Sequence, residues 1–472
     1  MQDVVIIGAG IVGCFLAHDL SMYDLKITVL DKENDVANQV TMANSAIIHT
    51  GYDPKEGTLK AKLNVEGARM YEKICRRLQV DYKKCGAFIA ACSEEECRTL
   101  EELRQRALHR GIRAFYPDKE TMRREEPNLS DDVIQVLSVP DTAIIYPWQC
   151  AHALIEEAML NGAELKLGCE VTALQDHGDY LSVGTSEGVL HARVVINAAG
   201  CKAEAVASLL EAAPFQITCR KGQYFVLSKK AQNFVHHIIY PVPGRLGKGV
   251  LAVPTTHGNI LIGPDSSPCD PDDLSTTAQG FDYVRAHAQR IVKNIPYGEV
   301  IRSYSGLRPS GNDHDFYIRP SSVNPRFIHA ACIDSPGLAS APAISRYIIE
   351  HFVCEQLVLN KKTDLRHRSA PKIMANLTTE EKNELIRRQP LYGRIVCKCE
   401  NISYQEIVDA IRSPCGAKTI KAVKKKVRPG MGKCQGGFCE VEVAKILAEE
   451  LHIPLADVLY DRDDSRLGAE AK

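Results

Sequence analysis

The 472-residue sequence predicts an α/β chain: a βαβ nucleotide-binding framework interrupted by an antiparallel-sheet lobe, then a small helical C-terminal domain. Three observations predict it. The chain opens on strand, glycine turn and helix: Val4 to Ile7, then Gly8-Ala9-Gly10-Ile11-Val12-Gly13, then Cys14 to Leu20. A second buried strand ending in small residues, Arg193 to Gly200, returns only after a long mixed stretch. Four cysteines stand near the end as two close pairs, Cys397-Lys-Cys399 and Cys434-Gln-Gly-Gly-Phe-Cys439. A chain of this length also exceeds what one hydrophobic core usually organises.

Composition narrows the function classes. Hydrophobic residues are 45% and charged residues 25%, an ordinary globular balance. Lys plus Arg number 58 against 59 Asp plus Glu, so no excess of positive charge points to nucleic acid. The start, MQDVVIIGAG, has no basic leader or signal-like apolar segment. No run approaches the ~20 apolar residues of a spanning helix. The expectation is a cytoplasmic protein without a transmembrane segment, peripheral at the inner membrane face only through a partner. Seventeen cysteines then read as reduced thiols, the twelve before residue 360 chiefly as small buried hydrophobes.

In the opening motif the first glycine permits the turn, the second lets a pyrophosphate approach the backbone, and the third lets helix and strand pack closely. The next strand, Lys26 to Leu30, ends in Asp31, placed to accept ribose hydroxyl hydrogen bonds. A polar loop of small residues, Asn38 to Tyr52, and a long helix follow where an NAD domain would continue its strands. Two cofactor-contact regions separated by an inserted lobe favour FAD.

Within the lobe, Gly86 to Ala91 and Leu165 to Leu167 read as strands, and Glu94 to Arg110 and Gln149 to Asn161 as helices. Ile217 to Ser228 and Ile238 to Gly263 form an antiparallel pocket floor. Flavin dehydrogenation needs a proton acceptor and a cation for an anionic substrate. Arg308, in Gly306-Leu-Arg-Pro309, is the candidate cation, because a guanidinium grips carboxylate or phosphate through two parallel hydrogen bonds. His49, before the small residues Thr50 and Gly51, is the candidate base. A structural or flavin-contacting role competes with it. His257 is a weaker candidate, and Lys221 and Tyr240 are further possible pocket residues. The small-residue turn Ser335 to Ala341, followed by a helix from Pro342 to Cys354, would set a helix N-terminus against reduced flavin.

Residues 360–393 read as a polar linker with one helix, Thr379 to Arg388. The tail, 394–455, holds the cysteine pairs and two helical patterns, Ser403 to Arg412 and Cys439 to Leu451. Four thiolates can complete a 2Fe-2S cluster or one zinc. Cys415 stands outside the pattern. The basic run Lys418, Lys421, Lys424, Lys425, Lys426 and Arg428 reads as a solvated face before a docking site for an acidic protein.

Taken together, GAGIVG (8–13), VINAAG (195–200) and IDSPGLASAPAI (333–344) resemble the D-amino-acid oxidase superfamily of FAD-dependent oxidoreductases, over about residues 1–355. The resemblance implies a first domain of 1–359, with FAD segments near 1–60, 165–205 and 328–355. Implied contacts are Gly8, Gly10, Gly13, Asp31 and Ser45 in the first segment. Val171, Ala199, Gly200, Gly337 and Leu338 follow from the other two. In some relatives a histidine near His49 tethers the flavin. The stretch NSAIIHTGYDPKEGTLKAKL (44–63) is similar to that of L-2-hydroxyglutarate oxidases and glycerol-3-phosphate dehydrogenases.

The cysteine spacing of one and then four, after Arg428-Pro-Gly-Met-Gly432, resembles the bacterioferritin-associated-ferredoxin-like 2Fe-2S domain, with Cys397, Cys399, Cys434 and Cys439 as its ligands. The order of parts is similar to anaerobic glycerol-3-phosphate dehydrogenases. That implies oxidation of a small anionic alcohol, sn-glycerol 3-phosphate to dihydroxyacetone phosphate, with electrons passed to a second flavoprotein or an iron-sulfur subunit. The alternatives are another 2-hydroxy acid, such as L-2-hydroxyglutarate, or an amino acid as substrate. A different class is a non-catalytic electron-transfer or redox-sensing flavoprotein.

Overall fold

The structure, a computed structural model, describes residues 1–244 and 249–468. Apolar residues on both faces make the Gln2–Ile7 strand a central one, and Val4, Val5 and Ile6 are fully buried. It pairs in parallel with Ile27–Asp31 on one side and Gly188–Asn197 on the other. Glu164–Leu167 and Phe327–Ala331 extend the parallel sheet outward. Antiparallel additions complete it: Tyr317–Pro320 at the edge, and the hairpin Val171–Asp176 with Leu181–Thr185 beside Gly188–Asn197. The first strand therefore lies where the chain winds both ways, and the carboxyl ends of its neighbours open a crevice there.

A second sheet is built by the excursions between these strands. Its longest ladder joins Ile217–Leu227 to Val300–Gly311 in antiparallel register, from Ile217 opposite Gly311 to Leu227 opposite Val300. The floor is not purely antiparallel, as the sequence suggested. Ile238–Pro241 pairs in parallel with Ala87–Ala91, a fully buried strand recruited from the earlier part of the lobe.

The helix expected from Pro342 begins earlier, at Gly337, and runs to Ile348. Pro342 lacks the N–H that Leu338 O would receive, and the Tyr71 hydroxyl donates to that oxygen instead, at 2.5 Å. The vacancy that usually excludes proline from a helix is thus filled from another helix, Leu59–Leu78.

The C-terminal cluster packs Ile407, Val423, Val443 and Leu447 around a separate small core. Its helices Tyr404–Arg412 and Glu440–Leu451 match the sequence pattern, the first closed by a capping box between Ser403 and Glu406. A third helix, Ile420–Val427, contradicts the reading of the basic run as a solvated face. Lys424 and Lys425 are buried. Their neighbours supply the reason. Lys425 ion-pairs Asp35, and Lys426 Nζ lies 2.8 Å from Glu156 Oε1. The stretch read as a linker is also tied down: Met374 is buried and its N–H donates to Glu406 Oε1 at 3.0 Å.

Candidate functional site

The crevice at the first strand is the mouth of a cavity of about 1700 Å³. Pockets for one small ligand occupy roughly 300–1,000 Å³, so this space suits a large cofactor and a substrate together. The glycine turn shapes one end. Gly8 has φ +111°, and a Cβ there would lie 2.4 Å from Ala198 O. Gly13 does not line the cavity; a Cβ on it would strike Gly8 O at 1.9 Å, so its absence seats helix Ile11–Leu20 against the strand. At Gly10, where that helix starts, no side chain caps the first turn. Ile11 N–H is taken up by Thr41 Oγ1 at 2.9 Å. The helix end thus faces the cavity with amide donors suited to a pyrophosphate.

Asp31 lines the same end. Its carboxylate accepts from Ala9 N–H at 2.6 Å and Glu33 N–H at 2.9 Å, so it braces the turn. Burial pushes its pKa up to about 6 against those two donors. Val171, Ala199 and Gly200 form the wall beyond. Gly337 and Leu338 face the cavity from the start of a second helix without a side-chain cap.

The loop before His49 is clamped between the sheets. Ser45 Oγ lies 2.9 Å from Tyr224 Oη, Tyr304 Oη donates to Asn44 O at 2.9 Å, and the two tyrosine rings stack. A Cβ on Gly306 would meet Ala43 O at 1.9 Å, so close approach of this loop to the strand Val300–Gly311 requires glycine there. His49 itself is buried, between the rings of Tyr52 and Tyr240, and lines the cavity. Its Nδ1 sits 3.3 Å from Asn64 Oδ1 and receives Gly51 N–H at 3.1 Å, while Nε2 is 3.4 Å from Asp53 Oδ1. Asn64 is fixed in turn by donating to His49 O at 2.6 Å. The Gly51 contact needs an unprotonated Nδ1 and the Asn64 contact a protonated one, so the two belong to alternative tautomers of the ring.

Arg308 also lines the cavity, opposite Arg220 in the long ladder. Both arginines reach Ser266 Oγ, Arg220 Nε at 2.9 Å and Arg308 Nη1 at 3.4 Å. Among the described residues neither pairs with a carboxylate within 4.0 Å. Lys221 differs: its ammonium is buried 2.6 Å from Asp273 Oδ2 and is already neutralised. Tyr240 lines the cavity as expected. His257 does not; its Nε2 is 3.2 Å from Asp81 Oδ2 and its ring lies against Tyr146, under the C-terminal domain. Arg220, Asp53 and Asn64 escaped the sequence reading, although Asp53 stands four residues from His49.

The four tail cysteines come together as two pairs. Cys399 Sγ and Cys434 Sγ are 3.7 Å apart. The neighbouring Cys439 thiol and the amides of Gly430, Glu400 and Cys399 draw the Cys397 thiol down to about 6. That favours the thiolate a metal binds. A single zinc with Zn–S bonds of about 2.3 Å would need all four sulfurs mutually within about 3.8 Å. Among the described residues the one compact trio of potential ligands is instead Asp35, His152 and Cys415, within 4.8 Å, and the Lys425 ammonium already occupies that charge. Two separated thiol pairs fit a two-iron cluster. Gly432, where a Cβ would sit 2.3 Å from Cys399 Cβ, lets the second loop press onto the first. Among the described residues the buried Lys424 ammonium has no hydrogen-bond partner, and it lies beside Gly430 and Cys439, where it suits a negatively charged cluster.

Known proteins share this arrangement. The FAD dependent oxidoreductase family matches residues 3–351, and the BFD-like 2Fe-2S binding domain matches residues 395–449. A glycerol 3-phosphate dehydrogenase of Caloramator mitchellensis is 40% identical over 469 residues, 98% of each chain. An L-2-hydroxyglutarate dehydrogenase of Salmonella houtenae is 30% identical over 392 residues, 74% of this chain and 92% of its own. The dithionite-reduced, FAD-bound L-alpha-glycerophosphate oxidase of Mycoplasma pneumoniae superposes with a TM-score of 0.75 at 29% identity, covering 79% of this chain and 99% of that one.

Proposed function

Because this chain belongs to the FAD dependent oxidoreductase family and carries a BFD-like 2Fe-2S binding domain, we propose that it oxidises sn-glycerol 3-phosphate to dihydroxyacetone phosphate and exports the electrons to a partner protein. The observation that carries this reading is the match at 40% identity through both domains to a glycerol 3-phosphate dehydrogenase. FAD supplies the two-electron acceptor for the broken C–H bond, and the cluster supplies one-electron transfer. The protein's own residues do the rest. Gly8, Gly10, Ala199 and Gly200 would present backbone to the cofactor, Asp31 would accept from its ribose, and Ser45, Val171 and the Gly337 helix would complete the walls that hold it. Arg308 and Arg220 hold the phosphate, since both guanidinium groups reach the cavity without a carboxylate of their own. His49 Nε2 takes the hydroxyl proton from the tautomer that turns Nδ1–H to Asn64 Oδ1 in place of the Gly51 N–H contact, and Asp53 then faces the imidazolium. Cys397, Cys399, Cys434 and Cys439 ligate the cluster, in domains of 1–359 and 394–455 joined through 360–393.

No helix among the described residues is long and apolar enough to cross a membrane. The seventeen free thiols suit a reducing, cytoplasmic compartment, with a second flavoprotein or iron-sulfur protein as the acceptor.

An anaerobic absorbance titration with glycerol 3-phosphate tests the reaction. Bleaching of both the flavin band and the broader iron-sulfur absorption is expected. If dithionite bleaches both and glycerol 3-phosphate neither, the substrate is wrong. L-2-hydroxyglutarate is then the next titrant, because its dehydrogenases match this chain and its carboxylates would satisfy the same arginines.

A further inference from the structure

The two thiol pairs of the C-terminal domain differ in exposure. Cys397 and Cys439 are buried, whereas Cys399 is exposed and Cys434 half-buried. Solvent therefore reaches the site from the Cys399–Cys434 side. On the loop that joins Cys434 to Cys439 stands Phe438, with 90% of its surface exposed, and Val441 one helical turn on is 66% exposed. Phe438 is more exposed than any other large hydrophobic residue described. A bare aromatic ring between two metal ligands gives the fold nothing, but aromatic anchors are what protein interfaces use.

Charge identifies the kind of partner. Lys398, between Cys397 and Cys399, and Lys433, next to Cys434, are both exposed. Arg302 adds a third exposed cation, reaching Gln435 Oε1 at 3.5 Å. Most of the nearby acids are engaged: Glu400 pairs with Lys229 at 2.9 Å and Arg428 at 3.0 Å, Glu442 pairs with Arg394, and Glu440, beside Cys439, is half-buried against Gly436 near the Lys424 ammonium. Glu299, held by Ser228 Oγ at 2.5 Å, keeps its charge near Lys433 and offsets one of the three cations. Lys425 and Lys426 are committed to Asp35 and Glu156 on the flavin domain, so they add nothing to this face. The solvent side of the ligand loops is left basic, with an apolar centre.

We propose that this face, Phe438 ringed by Lys398, Lys433 and Arg302, is the docking surface for a one-electron carrier protein whose own docking face is acidic. The proposal rests on the reading that electrons leave through the cluster, and it names where they leave and what meets them. Opposite charge steers the encounter, and the aromatic ring seats the carrier over the exposed thiol pair.

The test uses the full-length holoenzyme and two haem proteins of opposite charge, acidic cytochrome b5 and basic cytochrome c, each reduced with glycerol 3-phosphate as donor. The wild type should reduce cytochrome b5 faster, at a rate that falls as salt is added. Lys398→Glu with Lys433→Glu should slow cytochrome b5 about tenfold or more and flatten its salt dependence, while flavin bleaching by substrate stays unchanged. Phe438→Ala should slow it at unchanged salt dependence, with Phe438→Leu between. Carbodiimide cross-linking, which needs no turnover, should join cytochrome b5 carboxylates to Lys398 or Lys433. Equal rates for the two haem proteins, no effect of charge reversal, or cross-links elsewhere overturn the proposal. A cluster that substrate never reduces brings down the functional reading instead, and the cross-linking result still decides the surface.

Discussion

Arg308 is available as an anion anchor because its neighbours have other work. Asp273 neutralises Lys221, and Ser266 is the polar group that both arginines touch. Removing the guanidinium forfeits a two-point charged contact, about 3 kcal/mol, which is roughly a hundredfold in kcat/KM. Arg308→Ala should show this loss chiefly as a raised KM for glycerol 3-phosphate, with Arg308→Lys intermediate because a lysine keeps charge without the fork. A KM unchanged in Arg308→Ala would remove the anchor. Arg308 was legible in the sequence through its setting between glycine and proline. Arg220 was not, because it reaches the cavity only through the register that sets it opposite Arg308. The same holds around His49. The histidine stands out beside small residues, but Asn64 meets it only after the 59–78 helix packs back onto its loop.

At the scale of elements, the helix Ile420–Val427 shows what local pattern cannot convey. Its lysines suggested solvent, yet its partners come from distant acids, Asp35 and Glu156. Helices Tyr404–Arg412 and Glu440–Leu451 were legible because their apolar spacing and first-turn chemistry agree with where they pack. The start at Gly337 was hidden because only Tyr71 makes Pro342 tolerable. The lysine helix is also a latch between the domains. Burial would raise the Asp35 carboxyl, but the Lys425 ammonium and His152 outweigh it and hold the group well below the usual carboxylate range. The folded value lies under the unfolded one, so the contribution is complete above about pH 4 and fades as pH falls further. Lys425→Ala leaves the buried Asp35 carboxylate without its cation, with only His152 and the Val36 N–H beside it, and should cost about 3–5 kcal/mol of stability at pH 7 in denaturant unfolding. Wild type and variant should converge as pH drops below about 4, because Asp35 takes up a proton there in the unfolded wild type while the folded one stays ionised. Equal stability at pH 7 would show that the latch contributes nothing.

Across the whole molecule, one chain joins a site that removes two electrons at once to one that passes them singly. The two are held by different parts of the sequence: the cavity by segments near residues 8–49, 171–200, 220–290 and 306–338, and the thiol pairs by 397–439. The order of these parts was legible from end to end, because glycine turns and cysteine spacings are local signals. Their mutual docking was not, since it depends on ion pairs such as Asp35 with Lys425 that span most of the chain. Separate construction makes the parts separable by mutation. Cys434→Ser takes one ligand from the exposed pair while touching no residue of the cavity. The variant should lose its iron and keep a full complement of FAD. Glycerol 3-phosphate should still bleach the flavin, whereas reduction of a protein carrier should fall to the background of free flavin chemistry. Cys415→Ser is the control, because that thiol is buried beside His152 and Asp35, away from both pairs, and its iron content should match wild type. If Cys434→Ser reduces the carrier at the wild-type rate, electrons leave directly from the flavin site, and the C-terminal domain serves some purpose other than their exit.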